Sequence, residues 1–294
     1  MTDGSPLVSI VVPAFQNADY IERTMDSILS QSYPSLEVVV ADHSSTDGTW
    51  ELLQRYAGDD RVRLLRTEAG GGAERNWNRV TDAATGDLVK LVCGDDLIGS
   101  RCVERQVAAM QENPGAVMVS CRRDLVDADD RVLVSGRGLG RLRGVVPGRE
   151  AVRAVVRAGT NLFGEPMSVL LRTDVVRRCG GWSAQDPYLI DEDLYVRVLR
   201  HGDLVAQTET LAAFRVNATQ WSVALARSQA KQAARLHRRV RLEWPDAVSV
   251  ADERTGSARA LVMAWVRRAA YVVWNRRMSP GRRSGLRPGA GPRR

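Results

Sequence analysis

Hydrophobic and polar positions switch between two periods through the first hundred residues. Val8–Val12 (VSIVV) is a short, continuous apolar run stopped by Pro13, the pattern of a strand buried on both faces. Across 18–31 the apolar residues Ile21, Met25, Ile28 and Leu29 fall at helical spacing, and Pro34 prevents further helix. Leu36–Ala41 (LEVVVA) predicts a second strand, ending in Asp42. Thr49–Tyr56 predicts a helix and Val62–Leu65 a third strand. A helix is expected over 73–84, with Gly86 as its C-cap. Leu88–Cys93 (LVKLVC) is a fourth strand, and it runs into Gly94-Asp95-Asp96.

Strand and helix alternating over short connections predict an α/β fold, a parallel sheet with helices on both faces. Ligands of such sheets bind beyond the carboxyl ends of the strands. Here those ends are Pro13-Ala14-Phe15, Asp42-His43-Ser44 and Gly94-Asp95-Asp96. The second half is less regular. Residues 117–147 read as shorter strands with Gly- and Arg-rich turns, and 149–158 as a helix. Met167–Leu171 reads as a strand followed by a short helix, Asp191–Arg200 as a helix, and 222–243 and 258–275 as long helices. From Ser279 the Pro, Gly and Arg content predicts a disordered end.

Charge changes this picture in one place. The net charge is +7, yet no acidic residue follows Glu253, while eleven arginines do; without them residues 1–253 carry −4. The basicity belongs to a tail, which speaks to a polyanionic surface rather than to the chemistry of the body. Cys93, Cys102, Cys121 and Cys179 are scattered with no C-x-x-C pair, so reduced thiols are expected rather than a zinc or disulfide framework. Asp3 precedes any basic residue and Pro13 breaks the apolar run behind it, unlike a secretory signal; a cytoplasmic location is expected.

Several residues are candidates for chemistry. Asp95 and Asp96 in a turn opened by Gly94 can hold a hard divalent cation whose shell phosphate oxygens complete, or can simply cap the helix beginning near Ser100. Asp42 ends its strand and can accept hydrogen bonds from a base N–H or a ribose hydroxyl; Asp47 and Thr49 read as turn and cap. Phe15 can stack on a base or belong to the core, and Arg75 can pair with phosphate. In 190–200 (IDEDLYVRVLR), three consecutive acids either offset a helix dipole or supply a general base. Glu165 and Trp182 are candidate acceptor contacts or structural residues. The glycines at 70–72 lack the spacing of a dinucleotide fingerprint.

These stretches together resemble a family 2 glycosyltransferase with the GT-A fold. The matching segments are VSIVVPAFQNADYIERTMDSILSQSYPSLEVVVADHSSTDGT, AERNWNRVTDAATGDLVKLVCGDDLI, GGW and DEDLYVRVLRHGD, covering most of 7–203 in order. The resemblance implies an inverting transfer of a sugar from a UDP-, GDP- or dTDP-linked donor to an acceptor hydroxyl, with Mg²⁺ or Mn²⁺. By position it implies that Pro13, Ala14 and Phe15 line the base and ribose pocket, with Asp42, His43 and Arg75 on the nucleotide. It places Asp95 near the ribose, Asp96 on the metal, and Asp191 as general base with Asp193 as second choice. His43, Gln16 and Cys93 stand where the family often has Asp, Asn and Asp. There is no Q-x-x-R-W motif and no transmembrane array, so a single transfer per acceptor is expected.

The domain organisation that follows is a nucleotide-sugar half over 1–120, an acceptor half over 121–220, a helical extension over 221–278 and a basic tail over 279–294. The acceptor is expected to be a glycan or a lipid-linked molecule of cell-envelope synthesis. Residues 258–275 form either an interfacial helix docking on the anionic inner face of the cytoplasmic membrane or a helix packed on the protein's own core. Two rival classes are weaker. A sugar-nucleotide nucleotidyltransferase would show a Gly-rich basic loop after the first strand, which PAFQNAD is not. A nucleic-acid-binding protein would rest on the tail alone, so no nucleic-acid partner is expected.

Overall fold

Strand β1 (Val8–Ala14) is buried along its whole length, because parallel neighbours flank it on both edges: β2 (Leu36–Asp42) and β4 (Leu88–Leu91). The computed structural model describes residues 5–217 and 228–274. Beyond β2 lies β3 (Val62–Arg66), also parallel. Alternate residues of these strands feed two apolar layers. Val11, Val39 and Leu91 enter one, and Ile10, Val12, Val38 and Val40 the other. Helices α1 (Ile21–Leu29) and α4 (Cys102–Glu112) cover the second layer; α2 (Thr49–Leu53) packs beside α1, and α3 (Gly72–Asp82) covers the first layer. The four strands and the helices between them stand where the apolar pattern places them.

The sheet continues past β4 in mixed rather than mostly parallel fashion. Its path is β3-β2-β1-β4-β9-β6-β10-β5, where β9 is Val169–Arg172, β6 Ala116–Val126, β10 Asp203–Arg215 and β5 Leu97–Ile98. β9 runs antiparallel to both β4 and β6, while β6 and β10 are parallel. β7 (Val132–Arg137) pairs with β6, and β8 (Gly144–Val146) with β10. β6 crosses residue 120, so the two expected halves share one sheet. Helices α5 (Gly148–Ala158), α6 (Thr173–Arg178) and α7 (Ile190–Val198) cover the same face as α3, followed by α8 (Gln229–Glu243) and α9 (Val250–Trp274).

No sign of β10 is visible in the sequence pattern. Its apolar ends, Leu204–Ala206 and Leu211–Phe214, are separated by exposed Thr208, Glu209 and Thr210, where the pairing with β6 shifts register. A bulge breaks the period-two alternation that announces a strand.

Helix α9 begins eight residues before the predicted start and packs on the body. Asp252 accepts hydrogen bonds from Arg153 (3.1 Å) and Arg157 (2.8 Å) of α5. A side chain on Gly256 would collide with the Val156 carbonyl, so the two helices touch backbone to backbone. The predicted helix 222–243 is seen from Gln229; its first residues, and the tail from 279, lie outside the described residues.

Gly86 is not the cap of α3, which ends at Asp82. A Cβ there would meet the Leu7 carbonyl at 2.6 Å and the Ser9 amide at 2.8 Å, and the Gly86 N–H donates to Ser9 Oγ at 2.8 Å. The glycine lets the chain pass against β1. Gly86→Ala is expected to cost roughly 1–3 kcal/mol by forcing that contact apart. Urea unfolding measures it, and an unchanged midpoint would show that the two backbones can separate freely.

Candidate functional site

The carboxyl ends of β1, β2 and β4 open into one cavity of about 1130 Å³, above the usual range of roughly 300–1,000 Å³ for a ligand pocket. Asn76 on α3 holds two of these ends together. Its Nδ2 donates to the carbonyls of Ala14 (3.3 Å) and Ala41 (3.1 Å), and its Oδ1 accepts from Thr67 Oγ1 (2.7 Å). The loop after β1 is tied to the loop after β2: Gln16 N–H donates to Ser45 Oγ, Asn17 N–H to Thr49 Oγ1 and Ala18 N–H to Asp47 Oδ2. Asp47 and Thr49 thus shape the pocket's rim as well as their own turn.

Phe15 stands 57% exposed at the cavity wall, with its ring 5.8 Å from that of His43. His43 Nε2 lies 2.9 Å from the Gly70 carbonyl, which fixes the ring beside the glycine turn. Pro13 lines the cavity, whereas Ala14 contributes its carbonyl to Asn76 from a buried position. Asp42 is buried; one carboxylate oxygen accepts from Ser45 N–H (3.2 Å), and the other has no partner among the described residues. Arg75 is placed elsewhere: its guanidinium pairs with exposed Glu68 at 2.9 Å and does not line the cavity.

Asp95 and Asp96 meet the end of β10, which the sequence pattern does not reveal. Asn217 Nδ2 donates to Asp95 Oδ2 (2.7 Å), Arg215 Nε to the Asp95 carbonyl (2.7 Å) and the Arg215 amide to Asp96 Oδ1 (3.0 Å). Asp96 Oδ2 is buried with no partner among the described residues. Burial pushes both carboxyls above the ordinary range; Asp95 raises Asp96 further, while Arg215 works against the shift in both. An orphaned carboxylate oxygen is what a hard cation would satisfy. Among the described residues no group of three or more His, Cys, Asp or Glu could hold a metal, so a cation here would rely on Asp96 and ligand oxygens.

The acids of α7 separate sharply. Asp191 lines the cavity; Asn161 Nδ2 donates to its Oδ2 at 2.9 Å, and the Glu192 amide caps its Oδ1 at 2.8 Å. Burial, then the charge of Glu165, pushes the Asp191 carboxyl up to about 7. Asp193 faces away from the cavity, bound by Arg197 (2.7 Å) and by Arg239, so it is a structural ion pair rather than a free base. Glu192, which sequence reasoning does not single out, is 2% exposed and lines the cavity, and its carboxyl makes no hydrogen bond among the described residues. Burial and Asp191 push that carboxyl up to about 8, with Arg267 opposing.

Glu165 lines the cavity, held by Nε and Nη2 along one edge of the Arg123 guanidinium. Burial would raise its carboxyl, but Arg123 outweighs this and holds it below the ordinary range. Trp182 does not line the cavity. It is buried, its Nε1 donates to Thr81 Oγ1 (2.8 Å), and it packs edge-on against Trp77 at 5.0 Å. A side chain on Gly181 would collide with Asn78 Oδ1, so the Gly-Gly-Trp turn serves that packing.

The raised carboxyls have a thermodynamic consequence. The folded chain keeps the Asp191 and Glu192 protons up to about 7 and 8, whereas the unfolded chain loses them near 3.8 and 4.5. Stability that is present below the unfolded values is therefore lost as pH rises from them through the folded ones. The charged groups that face the pair are Glu165, Arg123, Asp193 and Arg267, and the two arginines do not cancel the effect of burial. The variant Asp191→Asn/Glu192→Gln is expected to lose less stability than wild type between pH 5 and pH 8.5, by on the order of 1–3 kcal/mol. Urea unfolding at the two pH values tests this; parallel losses would mean the carboxyls ionise freely.

The fold has counterparts among known proteins. The glycosyl transferase family 2 pattern matches residues 9–178. TuaG of Bacillus subtilis, named for teichuronic acid biosynthesis, is 37% identical over 113 residues, 38% of this chain and 45% of its own length. The uncharacterized protein MT1568 of Mycobacterium tuberculosis is 29% identical over 296 residues, 96% of this chain and 88% of its own. Among solved structures, TarS 1–349 of S. aureus with UDP-GlcNAc has a TM-score of 0.67 at 17% identity, covering 91% of this chain and 75% of that one. The mannosyltransferase PcManGT of Pyrobaculum calidifontis, with GDP-Man and Mn²⁺, has a TM-score of 0.60 at 20% identity, covering 93% and 80%. At these identities the structural likeness shows the shared GT-A-like fold, and the sequence match extends over more than half of the chain. The chain belongs to glycosyl transferase family 2.

Proposed function

We propose that this chain transfers a sugar, with inversion, from a nucleoside-diphosphate sugar to an acceptor hydroxyl in cell-envelope polysaccharide or glycolipid synthesis. The observation that carries the reading is one cavity lined both by Asp96, one oxygen of which has no partner among the described residues, and by Asp191, a carboxyl poised near neutrality. Donors in complexes of two proteins of this fold, UDP-GlcNAc and GDP-Man, support a nucleotide-sugar here. The name of TuaG supports an envelope polysaccharide.

In this reading Phe15 and His43 face the base, while Asp42, buried and not lining the cavity, holds the turn behind His43 through the Ser45 amide. Asp96, steadied by the Arg215 amide, would hold Mg²⁺ or Mn²⁺, which supplies neutralising charge to the diphosphate when bound. Asp191 takes the proton of the attacking hydroxyl, and Asn161 orients it. A base with a pKa near the working pH combines availability with driving force. Glu165, engaged by Arg123, sets the field at Asp191 rather than acting as base.

Calorimetric titration of UDP, GDP and dTDP, with and without Mn²⁺, is the direct test. One nucleotide should bind with metal dependence, and Asp96→Ala should weaken it about tenfold or more, as loss of a charged ligand does. Asp191→Asn should keep nucleotide binding and lower transfer by roughly 10²–10⁴-fold. Transfer that survived this substitution would remove Asp191 from the mechanism.

The outward face of α9 supports a second element of the proposal, docking on an anionic membrane. Its inner face packs on α5 and α8, yet Leu261, Val262, Trp265, Val272 and Val273 are exposed, Trp265 at 65% and Val272 at 79%. No helix among the described residues is long and apolar enough to cross a membrane. The acid-free, arginine-rich sequence from 254 onward complements anionic lipid. Co-sedimentation with phosphatidylglycerol vesicles should fall several-fold in Trp265→Ser/Val272→Ser and with added salt. Undiminished binding would sink the docking face, and self-association lost in the same variant would assign it to a second copy instead.

A further inference from the structure

The cavity extends past Asp191 to a wall where three guanidiniums gather. Arg123 on β6 and Arg137 on β7 are register partners across the strand pair, and Arg267 reaches in from α9. Their pairing is unequal. Arg123 is matched by Glu165. Among the described residues Arg267 donates only to neutral oxygens, Thr160 Oγ1 (2.6 Å) and Gln229 Oε1 (3.1 Å), and lies 5.6 Å over the Tyr188 ring. The Arg137 guanidinium makes no hydrogen bond or ion pair among the described residues, although the side chain is half-buried. Burial draws its pKa down, and Arg123 and Arg267 add to that against Glu165.

The carboxylate that acts on Arg137 is Glu165, which is already engaged by Arg123, and among the described residues no acid forms an ion pair with Arg137 or Arg267. Glu165 is within electrostatic reach of both Asp96 and Arg137. Beside Arg267 the wall turns apolar with Met263, Val266, Ala270 and Trp274 of α9.

We propose that Arg137 and Arg267 bind an oxyanion, phosphate or carboxylate, carried by the acceptor, with an apolar portion of the acceptor against α9. The geometry suits it: a planar guanidinium with free N–H groups grips either oxyanion through paired hydrogen bonds. This rests on the transferase reading, since it names the acceptor of that site. The anion places the acceptor's hydroxyl relative to Asp191, and a neutral acceptor lacks that anchor.

Calorimetry with n-octyl phosphate, octanoate and neutral n-octyl glucoside tests the site on wild type, Arg137→Gln and Arg137→Lys. At least one anion should bind wild type, weaken about tenfold in Arg137→Gln and recover in part in Arg137→Lys, as expected for loss of one charge-assisted pair. The ratio of the two anions names the oxyanion, and the glucoside should not distinguish the variants. Anion affinity unchanged in Arg137→Gln, or no anion bound by wild type, overturns the proposal; unchanged affinity would place the anion on the arginine tail. Nucleotide titration of the same samples separates the two readings. Nucleotide binding without an Arg137-dependent anion removes this site alone, whereas failure of every nucleotide to bind removes the transferase reading and the acceptor assignment with it.

Discussion

A single buried guanidinium joins the turn after β4, the end of β10 and the β6–β7 turn at the candidate site. Arg215, 0% exposed, donates to the carbonyls of Asp95 and Asp127, pairs with Asp130, and lies 4.7 Å over the Tyr20 ring. Its own amide holds Asp96. A charge this deep is tolerated only when its hydrogen bonds are met, and stripping a partner from such a pair costs about 3–5 kcal/mol. The demand is mutual. Two adjacent buried carboxyls need a cation nearby, and the guanidinium needs the carbonyls of their turn, so the acidic turn, the end of β10 and the β6–β7 turn come as a unit.

The cavity is divided electrostatically by the same means. Asp96, with one oxygen that has no partner among the described residues, stands at a strand end, a carboxyl of nearly neutral pKa stands on α7, and the guanidiniums of Arg137 and Arg267, with no carboxylate partner among the described residues, stand beyond it. Each is a cost to the empty fold that a ligand of opposite character would relieve. The ion pairs of Asp193 and Asp252 show what the chain does with acids that have only structural work: two arginines each, away from the cavity.

Legibility followed the physics of burial. Strands flanked on both edges must be mostly apolar, so β1, β2 and β4 announce themselves, and the residues after them are the cavity's donor end. β10 lies in the same sheet but bulges into solvent at Thr208–Thr210, which erases its alternation and hides Arg215 and Asn217 with it. Gly86 reads as a cap because a glycine after a helix usually is one; its real constraint is the Leu7 carbonyl, far away in the chain.

The sequence by itself determined the α/β order, the strand ends that carry Phe15, Asp42, His43, Asp95 and Asp96, the family, and the one-sided charge of the tail. Only the tertiary structure decided which way side chains face. Successive residues of a helix point about 100° apart, so Asp191 and Glu192 enter the cavity while Asp193 turns to Arg239. The same rule let α9 present one face to the cavity and another to solvent, admitting both readings of its apolar run. Arg75 left the site for nearby Glu68; Trp182 left it, and Arg137 and Asn161 entered it, through contacts between residues far apart in the chain, such as the bond from Arg215 to the carbonyl of Asp95, 120 positions away. No local pattern of polarity encodes such pairs, because burial and partner are set by the packing of the whole sheet.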